Sequence, residues 1–402
     1  MEKVFIVAAK RTPIGAFGGS LKNTSAGDLA AVAIKGALEA AKLPGDKVDE
    51  VIVGNVVGAG QGMGVGRQAA LFAGIPESVP AYGVNMVCGS GMKTVMDAVS
   101  HIRSGDAEIV VAAGVEVMSQ IPFAAPSSIR DGNKMGNLEL KDLLVADGLT
   151  DVYNQYHMGV TAENVAKQIG LTRQQQDEYA LSSQQKAVAA IEAGKFQDEI
   201  VPVEVKQRRE TVMFDTDEYP KANATMEALS KLRPAFDREG TVTAGNASGI
   251  NDGASAIIVG SESAVKAHGL TPLAEIVSYA QSGLDPKIMG LGPVESVNKA
   301  LEKAELTVND IDVYELNEAF AAQALGVIHQ LAETNQVPVN AIQDKANFNG
   351  GAIALGHPLG ASGNRILVTL VHELHKQNGQ YGVASLCVGG GMGTAVVVKT
   401  VK

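Results

Sequence analysis

Tryptophan is absent from this 402-residue chain, and cysteine occurs only at positions 88 and 387. Two cysteines cannot build a disulfide scaffold, and there is no paired C-x-x-C spacing of the kind that holds structural zinc. A reducing compartment follows as the simplest expectation. Aromatic residues make up 4% of the chain and charged residues 19%, while apolar residues reach 46%; that balance excludes a disordered or low-complexity chain. Basic residues are outnumbered 33 to 44, for a net charge of −11. Without a cluster of Lys and Arg, a nucleic-acid surface is not expected. Long hydrophobic runs are missing too. The apolar stretch from Val4 to Ala9 is too short for the hydrophobic region of a secretion signal or for a membrane span. It reads as a buried first strand, and a cytoplasmic protein with no membrane partner is expected.

Glycine is the residue in clear excess: 45 of 402, about 11% against an average near 7%. Length predicts two or three structural units, since single cores rarely grow past roughly 250–300 residues. Short β-branched runs, Val51 to Val57 and Ile109 to Ala113, alternate with amphipathic stretches such as Ser25 to Lys42. This is α/β patterning. The chain also repeats itself. Residues 37–49 read ALEAAKLPGDKVD and residues 300–312 read ALEKAELTVNDID. Ser90-Gly91 and Ser362-Gly363 each open an apolar-periodic stretch followed by a strand-like run, the second of these being Tyr381 to Leu386. The period is far too long for a solenoid unit, so duplicated domains are expected. Residues from about 120 to 248 break the pattern. They are rich in Gln and charge, as in Leu171 to Ser182, where Thr172 predicts the N-cap of a surface helix. This region reads as an insertion on the first half.

Cys88 lies in Asn85-Met86-Val87-Cys88-Gly89-Ser90-Gly91, between a short apolar run and a helical pattern. That predicts a strand-to-helix turn with the thiol at the helix's first turn, where free N–H groups favour thiolate. A small buried cysteine is the competing reading. The equivalent turn of the second half runs from Asn349 to Gly363 and carries His357 just before Pro358, which biases it away from helical geometry. A lone histidine is commonly structural, but the repeat predicts that Cys88 and His357 approach each other at one junction. Cys387 ends the last strand foreseen and precedes Val388-Gly389-Gly390-Gly391, a run that either exposes N–H donors or forms a flexible turn. Together these groups suit acyl transfer. Other motifs fail: the glycines from Gly58 to Gly66 never satisfy G-x-G-x-x-G, and Gly194-Lys195 is followed by Phe196. His372 and His375 beside Lys376 are expected at a solvated helix end, and no metal site is expected.

These residues resemble those of the thiolase family, in its biosynthetic branch. The resemblance spans nearly the whole chain: Arg11-Thr-Pro-Ile-Gly15, Val87-Cys88-Gly-Ser-Gly91, Thr243 to Gly253, Asn317-Glu-Ala-Phe320, Gly356-His357-Pro-Leu-Gly360 and Cys387-Val-Gly-Gly-Gly391. It implies a thiolase fold: two duplicated βαβαβαββ-type halves in a five-layered α-β-α-β-α core with an inserted loop domain. The halves would span 1–119 plus 249–271 and 272–402, with the loop domain at 120–248.

The activity implied is a reversible Claisen condensation of two acetyl-CoA to acetoacetyl-CoA and CoA, by a ping-pong route. A degradative 3-ketoacyl-CoA thiolase for longer chains is the alternative. The resemblance makes Cys88 the nucleophile and His357 its base, with His357 and a water held by Asn317 then stabilising the second thioester oxygen. Cys387 would be the acid/base at the α-carbon, and the N–H groups of Cys88 and Gly389 the other oxyanion hole. His157 and Met158 resemble the pantetheine loop, and Met289 the residue closing the acyl pocket. Ala247, Ser248 and Gly249 would contact pantetheine, with Ala319 and Phe320 nearby, and Phe236 and Lys221 the rest of coenzyme A. Lys221 stands where relatives commonly carry Arg, and Ala228 where Ser is common. Coenzyme A thioesters would be substrates, with no cofactor, and a homotetramer built from tight dimers is implied.

Overall fold

The computed structural model describes residues 2–207 and 210–401. The first half sets out β1 (Val4–Arg11), α1 (Ala26–Ala41), β2 (Glu50–Gly54), α2 (Val65–Phe72), β3 (Ala81–Val84), α3 (Ser90–Ser104) and β4 (Ile109–Val117). Helix α1 starts where foreseen: the Ser25 hydroxyl accepts the Asp28 N–H and Lys42 closes the far end in the left-handed region. All nine residues of β4 are buried, as befits a strand covered on both faces. The run from Val51 leaves the sheet at Gly54 rather than at Val57, because Val56 and Val57 turn their N–H groups to the Glu116 carboxylate instead of a ladder partner.

Residues 118–250 contribute no strand to the main sheet among the described residues. They carry α4 (Met158–Ile169) and α5 (Arg173–Glu192), the latter opened by a capping box between Thr172 and Gln175. The chain then rejoins the sheet as β5 (Asn251–Ser261). The second half follows: β6 (Ala274–Gly283), α6 (Gly292–Lys303), β7 (Val313–Leu316), α7 (Ala321–Thr334), α8 (Leu359–Lys376), β8 (Tyr381–Val388) and β9 (Met392–Thr400).

The strands lie in the order β7-β8-β9-β6-β1-β5-β4-β2-β3, with Gly15–Ala16 added beside β5. Within it β6-β9-β8-β7 repeats the arrangement β1-β5-β4-β2. The place of β3 is taken in the second half by a single bridge between Tyr314 and Ala346. Among the described residues, the two halves of the sheet pair at Phe5–Glu275 and Ile6–Ala274. Helices α1 and α2 cover one outer face and α6 and α7 the other. Between the half-sheets lie α3 and α8, packed on Ile52, Val110 and Ile257 from one side and on Val313, Ala384 and Val396 from the other. The α-β-α-β-α layering results.

The central helices pack backbone to backbone. A Cβ on Gly91 would sit 2.8 Å from the Gly360 carbonyl oxygen, and one on Gly363 2.3 Å from the Met92 nitrogen, so this crossing tolerates only glycine. Two expectations change. Cys387 does not end the last strand, because β8 continues to Val388 and turns through Gly389–Gly391 into β9; the run there is a hairpin, with Gly390 and Gly391 at positive φ. His375 lies exposed in the last turn of α8 as expected, but His372 is half-buried. Their Nε2 atoms lie 2.9 Å from the carbonyl oxygens of Ala9 and Leu273, tying α8 to the strand entries.

Candidate active site

Cys88 occupies the turn between β3 and α3, two residues before the helix begins. The turn is strained: Val87, a β-branched residue, has φ +47°, an uncommon conformation that local bonds must hold. The Asn85 Oδ1 accepts the Val87 N–H at 3.0 Å, while Ser90 Oγ accepts the Met86 N–H at 2.8 Å and donates to the Val87 carbonyl at 2.6 Å. The backbone N–H groups of Gly389 and of Cys88 itself both reach the Cys88 sulfur. Even so, burial pushes the thiol up to about 11, against those two N–H groups and with a further upward push from Glu116. The resting thiolate expected from the helix terminus is therefore absent, since desolvation outweighs the dipole. Cys88 needs a base.

His357 is the imidazole that the sequence reading paired with it. It is buried and sits two residues before α8, in the turn that the internal repeat pairs with the Cys88 turn. Its N–H donates to Asn251 Oδ1 at 3.1 Å, and Gly356 before it, at φ +107°, leaves no room for a side chain against Asn251. The Nδ1 lies 2.6 Å from Ser362 Oγ, whose own hydrogen is directed to the Pro358 carbonyl at 2.9 Å. Nδ1 then carries the imidazole proton, which leaves Nε2, without a partner in the protein, as a lone-pair acceptor. Burial, helped by the Arg365 charge, pushes His357 down to about 3. It is neutral at physiological pH.

Cys387 on β8 is buried, and its thiol is pushed far up, first by burial and then by the nearby Cys88. It packs in one apolar cluster with Met158, Met289, Ala247, Ala319 and Phe320. Gly389 faces the same space: a Cβ there would lie 3.2 Å from Val87 and 3.7 Å from the Met158 sulfur. Asn317 follows β7 and is buried with neither side-chain polar atom partnered in the protein. Its neighbour Glu318 anchors the segment by accepting the Ser183 hydroxyl at 2.6 Å and Asn347 Nδ2 at 2.9 Å. Six of the residues read from the sequence thus share one small apolar wall.

The insertion brings the rest. His157 caps α4 through Nδ1 and stacks on Phe236, ring centroids 4.5 Å apart, and Phe236 meets Phe320 edge-on. Ser248 N–H donates to the Ala319 carbonyl at 2.9 Å, which seats residues 247–249 on the Ala319–Phe320 segment. Gly249 lies against the Tyr219 ring. Lys221 stands apart from the thiols, at a cavity of about 300 Å³ lined also by Tyr219, Ala228 and Leu232, with its ammonium 5.7 Å from the Tyr219 ring centroid. Sequence reasoning passed over Asn251 and Ser362, although both stand in the quoted motifs. Ser362, five residues after His357, could have been read as its partner on one helical turn, whereas Asn251, 106 residues away, left no local signal.

The two like α/β halves each carry one residue read from the sequence at an equivalent turn, Cys88 before α3 and His357 before α8. The chain belongs to the thiolase family: residues 4–263 match the thiolase N-terminal domain and residues 270–400 the thiolase C-terminal domain. An acetyl-CoA acetyltransferase of Cupriavidus necator is 55% identical over 400 residues, covering 99% of this chain and all of that protein. An acetyl-CoA acetyltransferase structure from Syntrophomonas wolfei superposes with TM-score 0.96 at 39% identity, covering both chains fully. Human mitochondrial 3-ketoacyl-CoA thiolase in complex with CoA superposes with TM-score 0.93 at 46% identity, over 100% of this chain and 98% of that one.

Proposed function

We propose that this protein is an acetyl-CoA C-acetyltransferase that condenses two acetyl-CoA to acetoacetyl-CoA and CoA, and runs the reverse thiolysis. The observation that carries the reading is the convergence of the Gly389 and Cys88 N–H groups on the Cys88 sulfur, where an acyl oxygen would lie once that sulfur is acylated.

His357 Nε2 takes the Cys88 proton, and the sulfur attacks the acetyl carbonyl carbon. The oxyanion rests on the two N–H groups, collapses, and expels the CoA sulfur, which leaves with the proton from His357. Cys387 then passes its proton to His357 and, as thiolate, takes one from the α-carbon of a second acetyl-CoA. The enolate oxygen is held by the new His357 Nε2–H and by a water on Asn317. Its carbon attacks the acetyl-cysteine and expels the Cys88 thiolate, which recovers the proton from His357. Every proton is accounted for by Cys88, His357 and Cys387, and coenzyme A thioesters are substrates rather than resident cofactors.

Met158, Met289 and Phe320 pack with Cys387 in one apolar cluster, a close wall that suits a short acyl chain and favours acetoacetyl-CoA over long ketoacyl chains. His157, Phe236, Ala247, Ser248 and Gly249 would hold pantetheine, with Lys221 near the nucleotide end. Incubated with acetyl-CoA, the wild type should gain one acetyl group by intact mass and Cys88→Ala none; an acetyl group on Cys88→Ala would remove the proposed nucleophile. Thiolysis of a C8–C16 ketoacyl-CoA faster than of acetoacetyl-CoA would point to the degradative alternative.

A cytoplasmic homotetramer belongs to the same proposal. No described helix is long and apolar enough to cross a membrane. The sheet ends in β3, whose outer edge is unpaired and whose Tyr82 is exposed, while Phe123, Met135, Leu138 and Leu140 are exposed on a separate segment of the insertion. Two such surfaces suit a dimer of dimers. Deleting 125–140 should yield active dimers by sedimentation; an unchanged tetramer would assign that segment another role.

A further inference from the structure

Glu116 is a buried carboxylate that the acyl-transfer steps do not use. It stands on β4 and gathers four N–H donors. Val56 N and Gly360 N reach Oε2 at 2.9 Å each, and Val57 N and Asn55 Nδ2 reach Oε1 at 3.1 Å each. Three of these come from the segment after β2 and the fourth from the first turn of α8, in the other half of the molecule. The contact with α8 is built in: a Cβ on Gly360 would lie 2.4 Å from the Val115 carbonyl oxygen and 2.8 Å from Glu116 Oε2.

The same carboxylate is one bond removed from both reacting turns. Asn85, which holds the strained Val87 N–H, donates through Nδ2 to the Val56 carbonyl at 2.9 Å. Val56 and Val57 pack in one apolar cluster with Leu359, against which Val87 and Cys88 also lie. On the other side, Gly360 is three residues from His357. The path therefore runs from Cys88 through Asn85 and Val56 to Glu116, and from there through Gly360 to His357.

We infer that Glu116 is a positioning residue for acyl transfer: by joining the Cys88 turn to the His357 turn across the two halves, it sets the approach of thiol to imidazole. The inference rests on the reading of Cys88 as nucleophile and His357 as its base. Only a carboxylate fits the place, because four donors need an acceptor with two oxygens and no hydrogen of its own. The anion also lies at the positive end of α8. Burial raises Glu116 to about 7 against the pull of its three backbone N–H donors. The ionisable groups that act with Cys88 are this carboxylate from β4 and Cys387 from β8; α3 itself carries the Lys93–Asp97 ion pair further along.

Glu116→Gln and Glu116→Asp separate charge from reach. Gln turns an NH2 toward N–H donors and removes the negative charge near Cys88. Asp keeps the charge but falls one methylene short of Gly360. Both should lower kcat for acetyl transfer about 10²-fold, the cost of displacing reacting groups by about 1 Å, with KM for acetyl-CoA little changed. The pH profile of Cys88 alkylation by iodoacetamide should move to lower pH in Glu116→Gln and stay near wild type in Glu116→Asp. A Gln variant that alkylates more readily yet transfers acetyl more slowly is the signature expected. Acetyl transfer within threefold of wild type in both variants, or an alkylation profile that does not move in Glu116→Gln, would overturn the role. So would loss of cooperative melting in both, which would make Glu116 a stability residue. Failure of the underlying reading shows differently, as acetyl transfer that survives Cys88→Ala, and would remove this role with it.

Discussion

Cys387→Ala should still acquire one acetyl group from acetyl-CoA, on Cys88, yet form acetoacetyl-CoA about 10³–10⁴-fold more slowly than wild type, the upper range for loss of a positioned acid/base. The two halves of the reaction make different demands. On the mechanism proposed, acetylation uses Cys88, the His357 lone pair and the N–H groups of Cys88 and Gly389, none of which the substitution touches. Condensation needs a proton taken from a very weak carbon acid, and the buried Cys387 on the wall with Met158 and Met289 is the group placed to take it. Acetyl-enzyme should therefore persist, visible by intact mass. Thiolysis of acetoacetyl-CoA should fall in parallel, because the same thiol must return that proton. Condensation within tenfold of wild type would assign the α-proton to another group.

Much of this architecture was legible because the duplicated pattern places chemistry by symmetry. The α1–β2 and α6–β7 segments that read alike in the chain do occupy equivalent places, and the turns before α3 and α8 bring forward Cys88 and His357. What escaped was set by contacts distant in sequence. Glu116 and Gly360 are 244 residues apart, and Asn251 and His357 are 106 apart; no local period reports such pairs. The direction of the Cys88 shift was misjudged for a related reason. A helix terminus is visible locally, whereas the burial that outweighs it arises where two halves meet.

The glycine excess divides in the same way. Gly389–Gly391 belongs to a turn at the thiols, but Gly91, Gly360 and Gly363 serve the crossing of α3 and α8. That crossing carries both reacting turns, so the glycines are tied to function through packing rather than through the reacting atoms. The run from Gly58 to Gly66 shapes the entry to α2, with Gly60, Gly62 and Gly64 at positive φ.

Asp217→Asn should destabilise the fold by about 1.5–3 kcal/mol, the worth of buried hydrogen bonds to a charged group, and raise KM for coenzyme A substrates as well. Arg11 at the end of β1 is fully buried. Its Nη1 and Nη2 grip Asp217 at 2.7 and 2.9 Å, its Nε meets Glu199 at 2.6 Å, and the guanidinium lies over the Phe196 ring. Asp217 and Glu199 both belong to the insertion, so the cluster pins that segment to the main sheet. Burial opposes the Arg11 charge, but the two carboxylates outweigh it and hold its pKa above the ordinary arginine value. Taking away one carboxylate leaves Arg11 paired with Glu199 alone and weakens the two bonds that Nη1 and Nη2 make to Asp217. The Ile14 N–H, which donates to Asp217 Oδ1 at 2.8 Å, would lose an anionic acceptor too. The urea midpoint should fall accordingly, and with the insertion loosened, Tyr219 and Lys221, which follow closely on Asp217, would hold the nucleotide end less well. Arg11→Lys should cost nearly as much, because a single ammonium cannot match the fork of the guanidinium. An unchanged urea midpoint in both variants would mean that the cluster only offsets its own desolvation. A stability loss without a rise in KM would confine its effect to the fold, leaving the nucleotide end to be held by contacts within the insertion.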